Sequence, residues 1–135
     1  MKTFHRHPSR IAAAALASLL AGCASSTGFH YSELVGKRYF KTNIDTYPVL
    51  ILSVDGRSIV GTPIQVDAGE RSVLLQGPPT TVDLQLTQTM KLDVKPCTRY
   101  YLVAVKQSPL QNEFTPRVDF EEPMPGCTSA PAKQG

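Results

Sequence analysis

The chain has 135 residues and a formal charge of +3, and that excess lies entirely in its first 22 residues. Removing Lys2, Arg6 and Arg10 from the 14 cationic residues leaves 11, against 11 Asp and Glu, so the remaining 113 residues are neutral. Neutrality argues against nucleic acid as a partner, which would favour a basic face, and this length is that of one domain with a sizeable core.

The first ten residues carry those three cations and no carboxylate, and Ile11 to Leu20 is apolar or small. A charged start followed by a short apolar run is the layout of a secretory signal. The run is too short to span a hydrocarbon core, which takes about 20 apolar residues. It ends in Leu20-Ala21-Gly22-Cys23. This sequence resembles the lipobox of bacterial lipoprotein precursors. The resemblance implies removal of residues 1–22, acylation of Cys23, and attachment to a membrane through that lipid. In a Gram-negative source it also implies an outer-membrane location, because Ala24 rather than Asp follows the cysteine; the domain is expected to face the periplasm, with exposure at the cell surface the alternative. One acyl chain binds a bilayer only marginally, whereas two or three make attachment effectively permanent. Residues 23–36 then read as the lipidated cysteine and a tether, 37–127 as the domain and 128–135 as a disordered tail.

With Cys23 acylated, Cys97 and Cys127 remain, and in an exported chain two leftover cysteines most simply form a disulfide. No metal centre is expected, since the mature part has one His, His30, and no closely spaced Cys pair. No cofactor motif occurs.

Tyr31 to Gly36 reads as one helical turn closed by glycine. From Lys37 the pattern is β. Arg38–Lys41 is a short strand, followed by a turn at Asn43-Ile44-Asp45. Val49–Val54 is an apolar, β-branched run of strand length, read as central and buried. Asp55-Gly56 signals a hairpin, because glycine accepts positive φ without steric cost. Ser58–Val60 returns, Gly61-Thr62-Pro63 interrupts, and Ile64–Val66 is a short strand. Asp67 to Glu70 turns the chain into Arg71–Gln76. After Gly77-Pro78-Pro79, Val82, Leu84 and Leu86 alternate with polar residues, as do Met90, Leu92 and Val94; both read as half-buried strands. Arg99–Lys106 is apolar on both faces and therefore central. Arg117–Glu121 is the last strand, and a hairpin between these two would bring Cys97 and Cys127 to one end. The expected fold is all-β, an antiparallel sandwich of about seven strands.

The turn residues Ser53-Val54-Asp55-Gly56, Gly61-Thr62-Pro63 and Gly69-Glu70-Arg71-Ser72-Val73 resemble a PEGA-type β-module. Arg71 stands where that family usually has His, and Ala68 where Pro often precedes the Gly. The resemblance implies an extracytoplasmic module of envelope proteins and carries no catalytic residues.

The chemistry is sparse. No serine sits in a nucleophile elbow, and a triad through His30 is disfavoured by its place near the tether. Asp55 and Asp67 fall in turns, where Asp bonds its own backbone; Glu121 and Glu122 should face opposite sides of a strand. The most distinctive group is Arg99-Tyr100-Tyr101. It is either a recognition patch, with Arg as an anion clamp and Tyr as contact area, or a packing unit in which a Tyr enters the core and Arg99 pairs with Asp119 or Glu121. The packing reading is preferred. The expected role is a non-enzymatic envelope module that binds a protein or a cell-wall component. A small carboxylate-dependent hydrolase and an accessory subunit of a secretion or surface-assembly complex are the alternatives.

Overall fold

The computed structural model describes residues 28–82 and 84–129. The expected leader, and Cys23 with it, lie outside the described residues. Nine strands and no helix form among those that are described. They are β1 (Ser32–Val35), β2 (Thr46–Pro48), β3 (Leu50–Val54), β4 (Arg57–Ser58), β5 (Ile64–Val66), β6 (Gly69–Gln76), β7 (Thr87–Val94), β8 (Thr98–Val105) and β9 (Thr115–Pro123). The fold is all-β, with two sheets packed face to face.

β8 organises the first sheet. β9 pairs along one of its edges in antiparallel register, from Thr98↔Pro123 to Val105↔Thr115. Its other edge is shared end to end. β1 runs parallel beside Arg99–Tyr101, and β2 runs antiparallel beside Val103–Val105. β5 extends the sheet beyond β1. With both edges paired, β8 is the central strand its apolar sequence predicts. The second sheet is wholly antiparallel in the order β4-β3-β6-β7.

The core lies between the sheets. Leu34, Ile64, Val66, Tyr100, Leu102 and Ala104 from the first meet Ile51, Val54, Val73, Leu75, Leu92 and Val94 from the second. Each such aliphatic side chain contributes about 1.5–3 kcal/mol by leaving water. In β8 the alternation of Tyr100, Leu102 and Ala104 is regular. In β3 the register with β6 shifts between Ile51 and Ser53. That bulge sends Ile51 and Val54 to the same face although three positions separate them.

The sandwich has two strands more than expected, and three segments differ. Tyr31–Gly36 is not a helical turn; Ser32–Val35 is extended because the free edge of β8 offers it backbone partners. Ser32, Glu33 and Leu34 are buried there, so these residues belong to the domain and not to the expected tether. Arg38–Lys41 is loop, since the chain must reverse between the parallel β1 and the antiparallel β2 on one edge. Val82 and Leu84 alternate with polar residues but are exposed in loop, with no neighbouring strand to pair them. At the other terminus Thr128 donates its backbone N–H to Phe29 O at 3.1 Å; residues 130–135 of the expected tail lie outside the described residues.

The Cys97–Cys127 disulfide forms, with Cα atoms 5.5 Å apart, at the end of the β8–β9 hairpin. The turn that leads into it is fastened from three sides. Ser32 Oγ donates to Lys95 O and accepts the Thr98 N–H at 3.0 Å. Tyr100 Oη accepts the Lys95 N–H at 2.9 Å, and Met124 N–H bonds Cys97 O at 2.8 Å.

Candidate recognition surface

Alternation along β8 divides the Arg99-Tyr100-Tyr101 group. Tyr100 points inward and is almost wholly buried, as the packing reading requires. Arg99 and Tyr101 lie on the outer face. Register places Glu33 and Glu122 directly beside Arg99, one on each side. Arg99 Nε donates to Glu33 Oε2 at 2.8 Å and Nη1 to Glu122 Oε1 at 3.3 Å. Arg99 therefore pairs with neither Asp119 nor Glu121, the partners expected across the hairpin. A bulge in β9 changes the phase between Phe120 and Val118. Glu121 instead takes the Lys95 ammonium.

Tyr101 Oη donates to Glu122 Oε1 at 2.9 Å. Burial, and then this bond to a carboxylate, push the Tyr101 phenol above its ordinary value. The phenol stays protonated and acts as a donor. The Glu33 hydrogen bond, ahead of the other influences, holds the Arg99 guanidinium charged to still higher pH. Glu33, Lys37, Pro63, Arg99 and Tyr101 line a shallow cleft of about 320 Å³.

Beside this row is an aromatic layer. Tyr39 stacks on Phe120 with ring centres 3.9 Å apart and meets Tyr101 edge-on at 5.0 Å. Phe40 meets both Tyr39 and Phe120 edge-on. The loop between β1 and β2 thus lies over the outer face of the first sheet. Asp119, the extra residue of the β9 bulge, holds it there: Oδ2 accepts the backbone N–H groups of Tyr39 at 2.8 Å and Phe40 at 3.2 Å. Tyr39 and Phe40 escape a reading by period, because a loop has none, and the β9 bulge breaks the period at Phe120. The run Lys37-Arg38-Tyr39-Phe40-Lys41, with cations around two rings, was the available signal.

The other candidates are tied into turns. A second, larger groove of about 590 Å³ lies between the sheets beside Asp55, Asp67 and Arg71. Asp55 and Gly56 both have positive φ, +51° and +75°, as a two-residue hairpin demands. Asp55 Oδ1 accepts the Ser72 N–H at 2.9 Å and Oδ2 pairs with Arg71 Nη1 at 3.0 Å. The Ser72 N–H, then Arg71, hold the Asp55 carboxyl below its ordinary range. Arg71 also bonds the Asp67 and Ala68 carbonyls, so its guanidinium joins two turns. His30 Nδ1 lies 2.5 Å from Thr128 O, at the surface. Among the described residues no group of three or more His, Cys, Asp or Glu converges as metal ligands would.

Comparison of the chain with family models, with curated proteins and with solved structures gives no match.

Proposed function

We propose that the chain is an outer-membrane lipoprotein, acylated at Cys23, whose disulfide-stapled sandwich is a binding module facing the periplasm. The observation that carries this reading is the pairing of Cys97 with Cys127. It leaves Cys23 as the one remaining thiol of three, directly behind a leader-like segment. A stable disulfide also suits an oxidising compartment outside the cytosol. The PEGA-like turns agree with an envelope module.

A binding role is favoured over hydrolysis by what the carboxylates do. Glu33 and Glu122 converge on one guanidinium, and both already accept its hydrogen bonds. Glycoside hydrolysis asks one carboxyl to hold a transferable proton and the other to stay free for attack. Partners of the kind a periplasmic module meets are other envelope proteins or cell-wall polymers, and the cleft beside Arg99 and Tyr101 offers them a cation, a phenol and ring surface.

A second reading has one observation behind it. β7 pairs with β6 along all eight residues, and no strand bonds its other edge among the described residues. An open edge accepts an added strand, which would fit an accessory subunit of a surface-assembly complex.

Fractionation tests the anchor: wild type should stay with the outer membrane and Cys23→Ser should be released, and retention of the variant would refute acylation. Crosslinking in intact cells through a photoreactive residue at Lys37 or at Lys91 then separates the cleft from the β7 edge. Capture at neither position would refute both binding readings.

A further inference from the structure

The loop from Gly36 to Asp45 joins three features. Lys37, Arg38 and Lys41 surround Tyr39 and Phe40, with no carboxylate between Gly36 and Ile44. The two rings are 42% and 43% exposed, and Ile44 projects from the same loop at 83%. The loop is also rigidly presented. Tyr39 rests on Phe120, Asp119 holds two of its N–H groups, and Arg38 bonds the Asn43 and Thr46 carbonyls.

We infer that this loop docks on an anionic lipid bilayer, its three cations meeting the headgroups and Tyr39, Phe40 and Ile44 the membrane boundary. Aromatic rings ringed by Lys and Arg are the composition of a membrane–water interface. The cations meet the negative surface within a Debye length of about 8–10 Å. The rings and Ile44 enter the headgroup boundary, which adapts to isolated projecting side chains. A protein partner would instead be expected to seat its anchors in well-packed pockets.

The position of the proposed anchor agrees, and the inference rests on that anchor. Four residues lie between Cys23 and Gly28, and the five Cα steps reach at most about 18 Å. They join the domain at the Cys97–Cys127 end of β8, while Asp45 O bonds the Lys106 N–H at the other end. Lipid at one end and the loop towards the other hold the domain side-on to the bilayer rather than standing on its tether. The outer face of β6 and β7 is then left towards the periplasm.

The chain contains no tryptophan, so one introduced indole reports alone. Ile44→Trp removes little packing, and Thr89→Trp places the control on the exposed face of β7. The protein purified from the envelope of the cells that produce it is reconstituted in phosphatidylethanolamine–phosphatidylglycerol vesicles, with and without brominated acyl chains. The Ile44→Trp emission should shift to the blue and lose most of its intensity to bromine, while Thr89→Trp stays water-like and unquenched. Adding Lys37→Glu and Lys41→Glu, or using phosphatidylcholine alone, should reverse most of the shift and the quenching.

An unquenched Ile44→Trp on a chain that sediments with the vesicles overturns the loop contact and leaves the anchor standing. Equal quenching at both positions, or quenching indifferent to the charge reversals, overturns it too. A blue shift without bromine quenching does so by pointing to a protein, or a second copy, over the loop. Release by Cys23→Ser bears on the anchor alone, and a wild-type chain that never sediments overturns both readings.

Discussion

Asp119 Oδ2 receives the backbone N–H of Tyr39 at 2.8 Å, across 80 residues of chain. The carboxylate side chain is 1% exposed, although Asp119 lies on a strand whose other edge pairs with no strand among the described residues. The β9 bulge makes this possible by turning an extra residue out of the ladder. Loop, bulge and aromatic layer are thus one unit. Asp119→Ala should remove two hydrogen bonds to a charged acceptor and cost about 2–4 kcal/mol. Denaturant unfolding measures the loss. Hydrogen exchange should accelerate most at the Tyr39 and Phe40 amides, ahead of any change in β6.

The row Glu33–Arg99–Glu122 makes a second prediction. Replacing Arg99 by Met leaves two carboxylates side by side without their cation. Breaking a buried pair costs about 3–5 kcal/mol, and the partial exposure of Arg99 reduces that to roughly 2 kcal/mol here. Arg99→Lys should recover only part of the loss, because an ammonium cannot reach both neighbours in the fork geometry. Chemical denaturation of the two variants checks the order.

Stability should fall at both ends of the pH range, through different residues. The folded state holds the Asp55 carboxyl below its ordinary 3.8, so it binds this proton less tightly than the unfolded chain. Its contribution is present above about that value and is lost as pH falls through the lower folded pKa. Asp55→Asn should therefore be less stable than wild type at neutral pH, with the gap narrowing in acid. Tyr101 runs the other way. Its raised phenol contributes below an ordinary 10.0 and loses that contribution as pH climbs through the folded value. Tyr101→Phe should flatten the alkaline limb of a melting-temperature profile.

Two glycines mark close approaches of backbone. A Cβ on Gly36 would lie 2.1 Å from Val49 O, whose residue donates its own N–H to Gly36 O at 3.1 Å. Nothing flexible can yield there, and Gly36→Ala should cost about 3 kcal/mol or more. Gly77 lies beneath the Phe114 ring, 2.6 Å from where its Cβ would sit. The contrast is Gly56, which has open space around it. Gly56→Ala should cost about 1–2 kcal/mol, from its φ of +75° alone. Unfolding of Gly36→Ala, Gly77→Ala and Gly56→Ala separates crowding from backbone strain.

Much of this molecule is legible in the sequence. The alternation in Met90–Val94, the two-faced apolar run at Arg99–Lys106 and the turn at Asp55-Gly56 each follow from a local rule, because side-chain period and positive φ are local properties. The leftover pair Cys97 and Cys127 likewise followed from counting thiols and placing the last hairpin. Tertiary structure decided what depends on a partner far along the chain. A strand exists only where another backbone lies open beside it. Ser32–Val35 became β1 because β8 had a free edge, and Val82, Leu84 and Leu86 stayed loop although their pattern alternates. The candidate surface was divided in the same way. Residue type marked Arg99 and Tyr101, but Glu33 joins Arg99 from 66 residues away, and Asp119 fixes the Tyr39 N–H across 80. No local rule reaches that distance; register and one bulge do.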